Sequence, residues 1–177
     1  MGNSFLWEKF LKGDKKAFTK IFDKYYDELY NYGLKLVGNH YLVEDSLQEL
    51  FLKLWKNKKK LTPVKSPKPY LFKSFRHQLI DNINYNSRFE ELDEKLQDNF
   101  DIEFSTEDFF ITHQTEKETR ERLTKALNKL TKNQKEAIYL RFFEGLSFEE
   151  TAITLSINVQ SVRNTIHRGM KVLRDVF

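Results

Sequence analysis

The sequence predicts an all-α fold made of two small helical domains joined by an acidic linker. Apolar residues recur at the three- and four-residue intervals of a helix face in both halves of the chain. Glycine and proline, which interrupt helices, contribute only 6 and 3 of the 177 residues. Acidic residues dominate a stretch in the middle. We therefore expect a first domain over residues 1–87, a linker over residues 88–118 and a second domain over residues 119–177.

Composition excludes several classes of protein. The chain has no cysteine, which rules out disulfides, a thiolate metal site and a cysteine nucleophile together. Its formal charge of +4 permits a polyanionic partner without requiring one. No segment approaches the run of about 20 apolar residues that a membrane helix needs, and the N-terminus lacks the pattern of a cleaved leader. We expect a cytoplasmic protein without membrane insertion.

Two amphipathic helices are predicted in succession near the N-terminus. Asp14 is placed to cap the first helix, and Gly38 and Asn39 separate it from the second. The apolar face of the first helix comprises Phe18, Ile21, Phe22, Tyr25, Leu29 and Tyr32. The apolar face of the second comprises Val43, Leu47, Leu50, Phe51, Leu54 and Trp55.

A basic, proline-containing stretch, residues 56–69, follows these helices and is predicted to be a loop. Proline lacks the N–H donor of a helix interior and its ring clashes with the preceding turn, so Pro63, Pro67 and Pro69 argue against a helix there. Helical spacing then resumes and fades in the asparagine-rich residues 83–88. The buried face of this third helix is expected to comprise Leu71, Phe75 and Leu79, while the pattern leaves Tyr70 and Tyr85 undecided.

The linker is distinguished by its charge and by the aromatic residues within it. Its acidic members are Glu90, Glu91, Asp93, Glu94, Asp98, Asp101, Glu103, Glu107 and Asp108. Its aromatic members are Phe89, Phe100, Phe104, Phe109 and Phe110. Because a solvated tether has no use for so many aromatic side chains, we expect the linker to dock on another surface rather than to behave as an inert spacer.

The C-terminal part has the punctuation of a helix-turn-helix. Two capping boxes, Thr131 with Gln134 and Ser147 with Glu150, mark the starts of helices. The second box opens a short helix, which is followed by a turn and a longer helix, as in a helix-turn-helix motif. Ser156 begins the turn at a position where glycine is usual. Glycine adopts the backbone conformations of such a turn more readily than serine does.

The last helix of the motif has one apolar face and one face of DNA-binding residue types. Its apolar members are Val159, Val162, Ile166, Met170 and Leu173. The opposite face presents Gln160, Arg163, Asn164 and His167, with Arg168 and Lys171 alongside. Arginine, asparagine and glutamine read base edges, and lysine and arginine bind phosphates. The alternative is an ordinary amphipathic helix with a solvated polar face.

The segment VEDSLQELFLKLWKNKKK, residues 43–60, resembles the core-polymerase-binding helix of the bacterial RNA polymerase sigma factors. The residues that match its pattern are Glu44, Asp45, Gln48, Glu49, Phe51, Leu52 and Trp55. The segments GDKKAFTKIFDKYYDELYNYG, YLFKSFRHQLIDNI, LTKNQKEAIYLRFFEGLSFEETA and VRNTIHRGMKVLR are also similar to that family and stand in its order. Because the linker is short and holds no extra domain, the chain is identified as a member of the extracytoplasmic-function (ECF) branch.

The resemblance implies a transcription initiation factor and assigns residues to three surfaces. The implied −35 DNA-binding residues are Arg141, Gln160, Ser161, Arg163, Asn164, His167, Arg168 and Lys171. The implied −10 DNA-binding residues are Lys65, Lys68, Lys73, Arg76, His77, Asp81 and Asn82, with residues 62–68 as the loop near a flipped base. The implied core-polymerase-binding residues are Asp45, Gln48, Glu49, Leu52 and Trp55. The implied partners are core RNA polymerase, promoter DNA (duplex at −35, single-stranded at −10) and an anti-sigma factor.

Helix geometry and composition support two of these surfaces without the family. In the polymerase-binding helix, Asp45, Gln48 and Leu52 share one side while Leu47 and Leu54 face the other. The alternative for this stripe is a solvated charged face. In residues 58–88, cations interleave with aromatic residues, a combination that suits single-stranded DNA because cations follow phosphates and rings receive unstacked bases. His77 stands where the family usually has asparagine.

No pattern in the sequence indicates catalysis. The four histidines are scattered, and no metal-binding spacing, glycine-rich phosphate loop or nucleophile elbow is present. We therefore expect no enzymatic activity, metal, cofactor or small-molecule substrate. The alternatives to a sigma factor are a stand-alone helix-turn-helix regulator, a helical adaptor that binds only protein and, more distantly, a helical hydrolase.

Overall fold

The structure, a computed structural model, describes residues 3–89, 100–109 and 117–174. All of the regular structure in these ranges is helical, which confirms the predicted fold class. The chain divides into two compact units, Met1–Asn99 and Phe100–Phe177, called the N-terminal and C-terminal units below. No helix within the described ranges is both long and apolar enough to cross a membrane.

The described residues of the N-terminal unit form four α-helices: α1 (Asn3–Leu11), α2 (Lys15–Val37), α3 (His40–Asn57) and α4 (Pro67–Phe89). The predicted cap of α2 is confirmed, since the Asp14 side chain accepts hydrogen bonds from the backbone N–H groups of Lys16 and Ala17. Gly38 ends α2 in the left-handed conformation with a φ of 62°, and Asn39 caps α3.

Helices α2, α3 and α4 bury most of the apolar faces that the sequence predicts, whereas Phe18, Phe22 and Trp55 are half-buried. Leu47, Leu50, Phe51 and Leu54 of α3 and Leu71, Phe75 and Leu79 of α4 are all buried. Helix α2 approaches its neighbours closely at Gly33, where an added Cβ would lie 2.9 Å from the Phe75 ring and 3.0 Å from the Val43 side chain. Glycine at this position therefore sets how tightly the three helices pack.

Helix α1 was not predicted, yet it supplies two of the largest buried side chains of the unit. Trp7 and Phe10 are 0% and 1% exposed, and α1 packs against α2 and α4. At 9 residues α1 is too short to be stable alone, so tertiary burial of its two aromatic side chains holds it.

The loop predicted over residues 56–69 is shorter than expected. Helix α3 continues to Asn57 and a 3₁₀ turn, Lys58–Lys60, follows it. Helix α4 begins at Pro67, so the expectation that Pro67 and Pro69 lie in a loop was wrong. Both prolines stand in the first turn, where a backbone N–H has no helical partner to lose and the fixed φ of proline suits a helix.

In the C-terminal unit, residues 100–109 and 117–174 form a 3₁₀ turn (Thr106–Phe109) and four α-helices: α5 (Lys117–Asn128), α6 (Lys132–Ile138), α7 (Phe148–Leu155) and α8 (Val159–Arg174). A π-helical turn, Tyr139–Phe143, extends α6. Both predicted capping boxes are present, at Thr131 with Gln134 and at Ser147 with Glu150.

Part of the predicted linker belongs to the C-terminal unit. Phe100, Ile102 and Phe104 are buried in it, and the Asn128 side chain pairs with both the N–H and the carbonyl of Phe104 at 2.9 Å. Asp101 forms an ion pair of 2.9 Å with Lys135. The docking expected of the linker aromatics is thus observed for two of them, while Glu90, Glu91, Asp93, Glu94, Asp98 and Phe110 lie outside the described residues.

The turn of the helix-turn-helix is formed by a serine in the left-handed conformation. Ser156 has φ 57° and ψ 38°, and it is the one residue other than glycine with positive φ in the described part of the chain. Val162, Ile166 and Leu173 of α8 are buried as predicted, but Met170 is 44% exposed. Gly169 is buried instead, and an added Cβ there would lie 2.8 Å from Ile138 Cδ1.

Candidate DNA-binding and polymerase-binding surfaces

Helix α8 presents most of the predicted −35 residues on one exposed side. Val162 and Ile166 are buried against the rest of the unit, so the orientation of the helix is fixed. Because residues three or four positions apart share a helix face, this packing turns the polar face outward. The exposed members of the predicted set on α8 are Gln160, Arg163, Asn164, His167, Arg168 and Lys171, while Ser161 is half-buried and its backbone N–H bonds the Asn158 side chain.

Three of the exposed base-reading candidates already have partners within the unit. Arg163 lies 3.3 Å from the Glu149 carboxylate, and its guanidinium stands 5.6 Å from the centre of the Phe148 ring. The Gln160 amide donates to Asn164 at 3.0 Å. A base bound by one of these side chains would have to replace its contact within the unit.

Arg141 lies apart from α8, on the π-helical turn, and is half-buried. One of its terminal nitrogens donates to the Leu146 carbonyl at 3.2 Å, and its guanidinium stands 5.2 Å from the centre of the Phe148 ring. The Phe148 ring therefore makes cation–π contacts with the guanidinium groups of both Arg141 and Arg163. The sequence did not single out Phe148 or Glu149, whose contacts depend on the packing of α7 against α8.

Three of the polymerase-binding candidates on α3, Gln48, Leu52 and Trp55, line an apolar groove, whereas Asp45 and Glu49 lie outside its lining. Asp45 and Gln48 are exposed, Leu52 is 58% exposed, and Glu49 and Trp55 are half-buried. The groove between α2 and α3 has a volume of about 540 Å³. Its lining comprises Lys15, Phe18, Thr19, Phe22, Gln48, Phe51, Leu52 and Trp55. The sequence assigned Phe18 and Phe22 to the core, but both are half-buried and line this groove.

An aromatic row continues from the groove along α2. Phe22 and Tyr26 have ring centres 4.9 Å apart, and Tyr26 and Tyr30 are stacked with centres 6.1 Å apart. The Tyr30 hydroxyl and His40 Nδ1 are hydrogen-bonded at 2.8 Å. Burial, reinforced by the negative charge of Glu44, raises the pKa of the Tyr26 phenol.

A polar network crosses the interface between α3 and α4. Gln78 is only 6% exposed, and its amide bonds Glu49, Lys53 and Asn82. The Asn82 amide also donates to Ser46 at 2.9 Å. Asn82, a predicted −10 residue, is therefore tied to the helix that carries the polymerase-binding candidates rather than projecting freely into solvent.

The remaining −10 candidates are distributed over α4 and the loop before it. Lys65, His77 and Asp81 are exposed, whereas Lys73 and Arg76 are half-buried. Lys68 forms an ion pair of 2.9 Å with Glu28. Among the nearby aromatic residues, Phe72 is fully buried and cannot meet a base without unfolding, Tyr70 packs on Trp7, and Tyr85 is 61% exposed.

The described residues contain no cluster of three or more histidine, aspartate or glutamate side chains that could hold a metal ion. The surfaces described above present exposed cations, amides and apolar side chains, which are groups that bind and position macromolecules.

Comparison with known families identifies two matches within the chain. Residues 21–89 match the family described as Sigma-70 region 2, and residues 120–173 match the family described as Sigma-70, region 4. The first match contains α3, α4, the −10 candidates and the α3 side of the groove, whereas Lys15, Phe18 and Thr19 of the groove precede it. The second match contains α8 up to Leu173. Helix α1 lies outside both matches.

Individual proteins agree with this result. The ECF RNA polymerase sigma factor SigX of Bacillus subtilis is 28% identical over 90% of this chain and 83% of its own length. The structure of CnrH in complex with the cytosolic domain of CnrY aligns with a TM-score of 0.63 at 18% identity, over 98% of this chain and 96% of that chain. The sigma factor RpoE of Bartonella quintana, solved with the anti-sigma factor NepR, aligns with a TM-score of 0.62 at 20% identity, over 91% and 96%. These structural likenesses support the helical fold.

Proposed function

We propose a division of labour for this chain, which belongs to the extracytoplasmic-function subfamily of RNA polymerase sigma factors. The N-terminal unit binds core polymerase and opens the −10 element, and the C-terminal unit reads the −35 element. The observation that carries this proposal is the presence of a region 2 match followed by a region 4 match in one chain. A stand-alone regulator would need only the second.

Sequence reading at −35 is proposed for Arg163 and Asn164 of α8. Their side chains are exposed on the face opposite the buried Val162 and Ile166. Arginine pairs with guanine O6 and N7, and asparagine pairs with adenine N6 and N7, so both can identify bases in the major groove. Arg168 and Lys171 are proposed to bind phosphates, which fix the register of the helix on DNA.

Capture of the opened −10 strand is proposed for the cations and polar groups of α4 and its preceding loop. Lys65, His77 and Asp81 are the exposed members. A flipped base costs a few kcal/mol of stacking and pairing, and a protein that binds the flipped state shifts the equilibrium towards the open promoter. No bond is made or broken in this process, so the proposed activity is binding and not catalysis.

Docking of core polymerase is proposed at the groove between α2 and α3. Its apolar lining, with Leu52 and Trp55, would bury hydrophobic surface, and the exposed amide of Gln48 in the lining would pair with polar groups of the polymerase. Asp45, exposed on the same helix outside the groove, adds a negative charge that suits a basic partner.

An anti-sigma factor is proposed as a further partner. The RpoE structure that this chain resembles was solved with such a protein. An inhibitor that covered the groove would prevent polymerase binding, because polymerase is proposed to contact the side chains that line the groove. An inhibitor that covered α8 would prevent promoter binding for the corresponding reason.

A protein that acts on polymerase and the chromosome is expected to work in the cytoplasm.

Reconstituted transcription tests the proposal. The complete chain is mixed with sigma-free core polymerase and a library of promoter DNA, and the transcripts are sequenced. Specific start sites that require the chain are expected, with core polymerase alone as the control. Absence of specific transcripts, together with binding of the chain alone to duplex DNA as a symmetric dimer, would instead identify a stand-alone regulator.

A further inference from the structure

Helix α1 holds the loop that precedes α4, and no part of α1 lies in either family match. The connecting loop, defined here as residues 58–66, runs from the end of α3 to the start of α4. The Trp7 indole N–H donates a hydrogen bond of 3.2 Å to the backbone carbonyl of Thr62, near the middle of this loop. Thr62 is exposed and residues 61–66 have no regular structure, so this hydrogen bond ties the irregular part of the loop to α1.

Trp7 itself is rigidly held. Its side chain is 0% exposed, and its ring meets Phe10 and Tyr70 edge to face, with centres 5.1 Å and 5.5 Å apart. Tyr70 stands in the first turn of α4, just beyond the loop. A single buried indole therefore contacts the middle of the loop by a hydrogen bond and the helix after it by its ring.

The beginning of the loop is also anchored. The Lys58 ammonium donates to the Trp55 carbonyl at 2.9 Å and lies 3.9 Å from the centre of the Trp55 ring. Trp55 packs on Phe10 with ring centres 6.4 Å apart. The loop is thus fixed at its beginning by Trp55 and near its middle by Trp7, and both side chains contact Phe10.

We infer that Trp7 is a positioning residue for single-stranded DNA: it fixes the connecting loop in the shape that receives an unpaired base. The inference rests on the proposed −10 function of the loop. A flipped base binds more tightly to a loop that is already ordered. If the loop became ordered only on binding, the conformational entropy that it lost would make the binding free energy less favourable. Trp7 acts through the Thr62 carbonyl and touches no DNA itself.

The test compares Trp7→Phe, which keeps an aromatic ring and removes the N–H donor, with Ile21→Val. Ile21 is buried in α2 and takes no part in the proposed surfaces, so its replacement is a control for mild destabilisation of the core. Circular dichroism and thermal unfolding establish that both variants fold and how far each is destabilised.

The first measurement needs neither polymerase nor DNA. Limited trypsin digestion followed by mass spectrometry gives the rate of cleavage after Lys60 and Lys65, relative to sites in the C-terminal unit. Loss of a single hydrogen bond, with its ordinary net contribution, should make loop cleavage about fivefold faster in Trp7→Phe. Equal rates in Trp7→Phe and the wild-type protein would overturn the inference that Trp7 fixes the loop.

The second measurement uses the complete chain bound to core polymerase, on a promoter that the wild-type holoenzyme opens. Permanganate reactivity of unpaired thymines should fall about fivefold for Trp7→Phe, with core affinity unchanged, while Ile21→Val opens the promoter normally. If both variants lose opening in proportion to their unfolding temperatures, Trp7 has a merely structural role. If the wild-type holoenzyme opens no promoter, the proposed function fails, and the trypsin result still decides whether Trp7 fixes the loop.

Discussion

Replacing Arg163 by alanine tests whether α8 reads bases or only grips the DNA backbone. In the free protein the Arg163 guanidinium lies 3.3 Å from Glu149, and this contact must be exchanged for a base. A bidentate base contact provides about 1–3 kcal/mol of discrimination. The exposed ion pair that is given up is worth at most about 1 kcal/mol. Subtracting about 1 kcal/mol for the ion pair leaves about 0–2 kcal/mol, which predicts a loss of up to about thirtyfold at the bases that Arg163 contacts.

Lys171→Ala provides the matched control, because Lys171 is exposed on the same helix and is expected to bind phosphate. Its loss should weaken binding to all sequences equally and reduce the salt dependence by about one unit of slope. The assay is a titration of reconstituted holoenzyme over every single-base variant of the −35 element, at several salt concentrations. Arg163→Ala should change the base preference at one or two positions.

A uniform loss of affinity in Arg163→Ala, with all base preferences intact, would refute this reasoning. Arg163 would then be a phosphate contact like Lys171, and sequence recognition would have to lie with other residues of α8.

Three further predictions follow from other parts of the chain. Replacing Asp45 and Gln48 together by alanine should weaken core polymerase binding by about tenfold, which corresponds to about 1.4 kcal/mol of binding free energy. A change in helicity, or an unchanged affinity in a pull-down titration, would contradict the docking assignment. Ser156→Gly should raise the unfolding temperature of the C-terminal unit by about 2–4 °C. Glycine relieves about 1–2 kcal/mol of strain in the left-handed region but has a greater unfolded-state entropy, and the net gain in the free energy of unfolding is about 0.5 kcal/mol. A lower unfolding temperature in a thermal scan would show that the Ser156 side chain stabilises the turn. Changing the acidic residues at the start of the linker to glutamine or asparagine should impair initiation without affecting −35 binding. An unaltered transcript yield would show that their negative charge contributes to solubility only. Those residues are Glu90, Glu91, Asp93 and Glu94.

Elements with local signals were predictable from the sequence. Asp14 and Ser147 cap helices through hydrogen bonds to residues two or three positions away, so the pattern that marks them is contained in a few neighbouring letters. The buried and exposed sides of α3 and α8 also follow from periodicity alone, which is why Val162 and Ile166 were placed correctly.

Features that depend on distant contacts were missed. Helix α1 has a weak local pattern and depends on the burial of Trp7 against residues more than 50 positions away. The pairing of Phe104 with Asn128 draws part of the acidic segment into the C-terminal unit, and no local rule distinguishes it from a linker. Met170 fits the helical period, but the close approach of Ile138 to Gly169 leaves Met170 at the rim of the core.

The two guanidinium groups that share the Phe148 ring have a consequence for engineering promoter preference. Arg163 belongs to α8, but the side chains that orient it, Phe148 and Glu149, belong to α7, and Arg141 approaches the same ring from the preceding turn. If α8 alone were replaced by the corresponding helix of another protein, Glu149 would lose the cation that it now pairs with. An arginine on the new helix would be oriented by α7 side chains with which it did not evolve. The transferable module is therefore the segment from Arg141 to the end of α8, and a library that varies α8 should vary position 149 with it.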